Sequence, residues 1–138
     1  MKQDVSMKLV SSQSDGEQKE STELISRAKY EKTEHGYKLT YDESEATGYD
    51  GATTTIELFG GEKVVMTRTG SVSSNLVVET GKKHHCVYGT PYGDLMVGVD
   101  ARYIDCDLDD NGGRLAFKYV IDVNSSYVGD FDISIEVK

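Results

Sequence analysis

Apolar residues recur at every second position over much of the chain. Leu115, Phe117, Tyr119, Ile121 and Val123 alternate with polar neighbours that include Arg114, Lys118 and Asp122. A period of two sends successive side chains to opposite faces of a sheet, so this stretch predicts a half-buried β-strand. Phe131, Ile133, Ile135 and Val137, set between Asp132, Ser134 and Glu136, predict another at the C-terminal end. Val5, Met7 and Leu9 predict one near the start. From Leu95 the apolar phase runs through Val97, Val99, Ala101 and Tyr103, then slips by one to Ile104, Cys106 and Leu108. Such a slip is the mark of a β-bulge or a sharp bend in a long strand.

One segment carries two periods at once. Between Gln18 and Lys32, Leu24, Ile25 and Ala28 would form a helical stripe, while Thr22, Leu24, Ser26, Ala28 and Tyr30 alternate. The alternation runs into a hairpin pattern, Tyr30 to Tyr41 around His35-Gly36, and this favours strand. Turn signals then divide the chain at short intervals: Asp15-Gly16, His35-Gly36, Gly60-Gly61, Gly81, Pro91 to Gly93 and Asn111-Gly112-Gly113. Crossover helices do not fit between them, so neighbouring strands pair antiparallel. Roughly eight to ten strands of this kind are most stable when the sheet closes on itself and removes its edges. The predicted fold is all-β, a single up-and-down antiparallel barrel spanning residues 1–138, with little or no helix. The acidic run from Asp42 to Gly51 is expected as a solvated loop.

Composition narrows the class. A chain of 138 residues with 37% hydrophobic content can bury one core. Its formal charge of -9 opposes binding to a phosphate backbone, so no nucleic-acid partner is expected. No apolar run reaches the ~18 residues of a membrane span, and the start lacks a signal-peptide core, so the expected location is the cytoplasm. Two cysteines, Cys86 and Cys106, make no disulfide framework and are expected as free, partly buried thiols.

Few segments look like chemistry. Asp107, Asp109, Asn111 and Gly112 match the first half of a calcium loop, but Lys118 stands where the loop needs a bidentate glutamate. The segment therefore predicts an acidic hairpin turn. His84, His85 and Cys86 suggest a metal site, with His84 and Cys86 on one strand face as a ligand pair, yet a zinc centre needs further ligands and His35 is the one other histidine, so no metal or cofactor is expected. No nucleophile elbow and no phosphate-cradling glycine loop is present, so no catalytic residue is assigned. Arg68 shares a strand face with Val64 and Met66, which carries its guanidinium toward apolar surroundings, and a buried arginine demands a partner. The alternatives are the anionic group of a bound molecule, one of the chain's own acids, or a strand-end position from which the guanidinium reaches water. Tyr88, Thr90 and Tyr92 around Pro91 are candidates for the polar lip of a cavity, or pack beside the turn.

The segments RTGSVSSNLVVETG (68–81), YGTPYGDLMVGVDA (88–101), GGRLAFKYVIDV (112–123) and the terminal DISIEV resemble the YwiB-like family, small bacterial proteins of unknown function with a calycin-like β-barrel. The motif carried by Tyr88, Thr90, Pro91, Tyr92, Gly93 and Leu95 is the most specific part of the likeness. The resemblance implies a lipocalin-like barrel and a cytoplasmic setting, but no catalytic residues. The chain has no tryptophan and so lacks the G-x-W motif of true lipocalins. Asp100, Ala101 and Arg102 stand where the family often has threonine, and no role transfers there.

Together these observations predict a non-enzymatic binding module for a small, partly apolar or anionic molecule, with Arg68 as charge anchor and Tyr88, Thr90 and Tyr92 as orienting groups. The alternative is an interaction or scaffold protein with a side-chain-filled barrel and an acidic surface. The volume inside the barrel separates the two.

Overall fold

The computed structural model describes residues 2–43, 51–71, 73–90 and 93–138. Ten strands follow one another: β1 (Lys2–Ser14), β2 (Lys19–Lys32), β3 (Tyr37–Asp42), β4 (Ala52–Phe59), β5 (Lys63–Gly70), β6 (Ser74–Glu79), β7 (Lys83–Thr90), β8 (Gly93–Asp109), β9 (Gly112–Val123) and β10 (Ser126–Val137). Each lies beside its sequence neighbours, and β1 pairs with β10 to close an antiparallel barrel. The closing ladder sets Leu9 opposite Ile135 and Ser11 opposite Ile133. Ser6 and Lys138 extend it by exchanging backbone hydrogen bonds of 3.0 and 2.9 Å.

The doubly periodic segment is strand throughout. Leu24, Ala28 and Tyr30 point inward and are buried, whereas Ile25, Arg27 and Lys29 face solvent. Asp15 starts this strand's hairpin by accepting the amides of Glu17 and Gln18 at 2.9 and 2.8 Å. The phase slip in β8 is a register shift between Ala101 and Tyr103, where Arg102 is the extra residue. It keeps Val97 and Val99 on the inner face of one half of the strand and Leu108 on the inner face of the other. A second shift, between Tyr127 and Gly129, bends β10 at Val128.

Among the described residues, inward side chains pack across the barrel. Phe117, Tyr119 and Phe131 stack in series, with ring centroids 6.0 and 5.4 Å apart. At the end carrying the turn between β8 and β9, Tyr30 and Tyr37 stack at 5.2 Å. Beneath them the interior leaves a cavity of about 10 Å³ lined by Leu39, Ile56, Leu58, Leu115 and Ile135, room for about one water molecule. The acidic turn helps to close this end. Tyr30 donates its hydroxyl to the Asp109 carbonyl at 2.7 Å, Tyr37 to the Asp110 carboxylate at 2.9 Å, and the Gln3 amide to the Asp110 carbonyl at 3.0 Å. Gly112 and Gly113 have φ of 114° and 132°, and a Cβ on them would strike the carbonyls of Val137 and Asp107. That is why two glycines follow the acids.

Candidate functional site

Among the described residues the buried polar side chains gather near the end where β3 leads to β4 and β5 leads to β6. There one cross-strand row is polar. Tyr41 lies opposite Thr54, Thr54 opposite Arg68 and Arg68 opposite Ser74, so four adjacent strands each contribute one side chain. All four are buried. The row follows from strand phase: Leu39 and Tyr41, Ile56 and Thr54, Met66 and Arg68, and Leu76 and Ser74 are two residues apart and share the inward face.

Glu43 completes the cluster. Its side chain is 2% exposed and that of Arg68 10%. Arg68 Nη2 and Nε donate to Glu43 Oε2 at 3.2 and 3.3 Å, and Nε also donates to Thr54 Oγ1 at 3.2 Å. Thr54 in turn donates its hydroxyl to Glu43 Oε2. Burial, reinforced by the Glu43 carboxylate, pushes the Tyr41 hydroxyl well above the usual phenol range. Among the described residues no buried side-chain nitrogen or oxygen lacks a hydrogen-bond partner.

The expectation of a wholly solvated Asp42–Gly51 loop is corrected at Glu43. Arginine drawn to an inner face leaves a charge that needs compensation, and the nearest chain segment supplies it. The signal was present in the sequence, since Glu43 continues the inward phase of Leu39 and Tyr41, but it was hidden by the acidic run that follows. Residues 44–50 lie outside the described residues. Thr54 and Ser74 went unremarked for a similar reason, as they sit in runs of hydroxyl residues that blur the alternation.

Of the residues singled out from the sequence, Arg68 is inward and engaged by Glu43. Tyr88 is half-buried against the core, on β7, in register with Leu95 of β8. Leu95 shares the phase of Val97 and Val99 but is 49% exposed. The Thr90 side chain and all of Tyr92 lie outside the described residues. Cys86 is free and buried, and Cys106 is free and exposed.

The histidines are dispersed. His84 Nε2 lies 2.8 Å from Glu79 Oε1 and holds that carboxyl below its ordinary range. His35 sits at a turn beside the Phe59 ring. Among the described residues no group of three or more His, Cys, Asp or Glu is arranged to hold a metal ion. On the outer wall, Lys83 reaches Asp122 at 2.7 Å by crossing Gly98, whose missing Cβ leaves the path clear, and the ammonium holds Asp122 below the usual carboxylate range.

The family model for a domain of unknown function, DUF1934, matches residues 7–135. The chain belongs to the DUF1934 family. Its barrel is similar to the crystal structure of ywiB protein from Bacillus subtilis, with a TM-score of 0.81 and 22% sequence identity over 99% of this chain and 93% of that one. No curated protein matches. At that identity the likeness carries the DUF1934 fold and no chemistry.

Proposed function

We propose that this protein is a non-enzymatic binding module, and that its ligand is a small molecule with an anionic group and an apolar portion, taken up at the polar end of the barrel. The observation that carries this reading is the buried row Tyr41–Thr54–Arg68–Ser74 on the inner face, beside the half-exposed Tyr88 and Leu95. A buried ion pair is poor value for stability, because apolar residues of similar volume serve as well or better. A planar guanidinium suits a carboxylate or phosphate through two parallel hydrogen bonds. Arg68 would exchange its Glu43 contact for the ligand's anion, Tyr88 would orient it, and Leu95 would cover the apolar portion. The cytoplasm remains the proposed setting, in keeping with two free thiols.

The test is a thermal-shift and native mass spectrometry screen against acyl carboxylates, nucleotides and phosphorylated metabolites. Hits are then repeated on Tyr88→Phe and on the double variant Arg68→Met with Glu43→Gln, which removes both charges together and spares the fold an unpaired one. Loss of the shift in the double variant is expected. Binding unchanged in both variants, or no binding of any anion, would overturn the assignment.

One observation favours a second reading. A cavity of about 10 Å³ at the end away from Arg68 is far too small for a metabolite. A filled barrel whose acidic surface meets a basic protein partner is the alternative, and salt-sensitive binding to a cationic peptide, with no small-molecule hit, would select it.

A further inference from the structure

The barrel wall is uneven in how it is held. β5 and β6 are joined by a ladder from Lys63–Glu79 to Arg68–Ser74, and β7 and β8 by one from Lys83–Asp100 to Thr90–Gly93. Between them, β6 and β7 share a single register pair, Asn75 with Val87. The next bridge, Glu79 with Lys82, belongs to the turn. Along Leu76–Val78 and His84–Cys86 no ladder pair forms, although all these residues are described.

Side chains take over the joint. The Val77 amide donates to Cys86 Sγ at 3.3 Å, and His84 Nε2 meets Glu79 Oε1 at 2.8 Å. Sulfur is a weak acceptor, and the His84–Glu79 contact is partly exposed to water, which lowers its worth. Elsewhere in the wall, parting two strands breaks a whole ladder of backbone hydrogen bonds. Here the ladder contributes one register pair, beside a weak N–H···S bond and a half-wet ion pair. Leu76, Val78 and Cys86 line the inner side of this joint and are buried.

We infer that the β6–β7 seam is the place where the barrel opens, by parting β6 from the β7–β8 hairpin in a local motion that leaves the other ladders intact. The closed seam hides the Cys86 thiol and the apolar interior behind it, and the open seam exposes both. This inference does not depend on a ligand at Arg68.

The experiment measures alkylation of Cys86 by iodoacetamide under native conditions, in a Cys106→Ser background, by mass spectrometry across low urea concentrations. The reference is the thiol introduced by Val64→Cys in a chain also carrying Cys86→Ser and Cys106→Ser. Val64 is 0% exposed and lies on β5, which is laddered on both sides. Each rate is divided by that of the same chain unfolded, which removes intrinsic differences between thiols. Cys86 is expected to react on the order of tenfold or more faster than the reference, with little dependence on urea, because local openings need less than the global unfolding free energy. A second arm places the opening. The pair Asn75→Cys and Val87→Cys sits at strand-partner spacing that suits a disulfide. Oxidising it is expected to slow Cys86 labelling by about tenfold or more, and reduction to restore it. Equal rates with equal urea dependence for Cys86 and the reference thiol would overturn a local opening. Labelling unaffected by the crosslink would overturn its position at this seam.

Discussion

Arg68 and Glu43 set the energetics of the polar end residue by residue. Removing one partner strands the other charge in a dry environment, so Arg68→Ala is expected to cost about 3–5 kcal/mol in urea unfolding. Arg68→Met with Glu43→Gln replaces the whole pair and is expected to recover most of that loss. A double-variant cycle in which the double change costs the sum of the two single changes would contradict a specific pair. At the turn between β9 and β10 the chain pays for a different choice. Asn124 and Ser125 have φ of 53° and 67°, a region that an L-residue enters at a cost and glycine does not. Ser125→Gly is expected to raise stability by about 0.5–1 kcal/mol in the same assay. This turn was not legible in the sequence, because its signal residues carry no glycine. The inward course of Arg68 was legible, since two-residue phasing from Val64 and Met66 requires it. Its partner was legible only in phase: Glu43 continues the inward alternation of Leu39 and Tyr41, but among so many acids it takes the cross-strand register to set it beside Arg68.

Among the elements, β8 shows how far pattern alone can reach. The slip from Tyr103 to Ile104 marks a bulge because one extra residue is the sole way for apolar side chains to stay inside on both sides of it. Deleting Arg102 is therefore expected to turn one half of the strand inside out and to cost more than about 4 kcal/mol, read as loss of cooperative unfolding or of soluble protein. A well-folded deletion variant would contradict that role for the bulge. The β1–β2 hairpin was legible for a related reason, since Leu24, Ala28 and Tyr30 satisfy a strand face better than a helical stripe. What pattern could not reveal is the thin pairing between β6 and β7. Both strands alternate as well as their neighbours do, and the deficit lies in relative register, which leaves no trace in either strand's own residues.

For the whole molecule, closure by β1 and β10 follows from many short antiparallel strands needing to hide their edges, and the barrel was legible on that ground. The volume left inside was not legible, because it depends on how side chains from all strands interdigitate. Burial also couples stability to pH. Tyr30 and Tyr41 have hydroxyls pushed well above the ordinary phenol value of 10.0, chiefly by burial. The unfolded chain loses those protons first, so stability is full below about pH 10 and falls as pH rises beyond it. Glu79 and Asp122 are held low by His84 and Lys83, so their contribution is present at neutral pH and is lost as pH falls below about 4. Urea midpoints measured across pH are expected to decline at both extremes, with the alkaline decline shallower in Tyr41→Phe. An alkaline arm unchanged in that variant would contradict a buried phenol at this position.

The proposal that the barrel meets its ligand at the Arg68 end is tested most directly by amide and arginine Nε chemical shifts recorded by NMR while the anions found in the ligand screen are titrated in. Shifts clustered on Tyr41, Thr54, Arg68, Ser74, Tyr88 and Leu95 are the expected result. Shifts confined to the outer faces of β8 and β9, or none at any anion concentration, would contradict it.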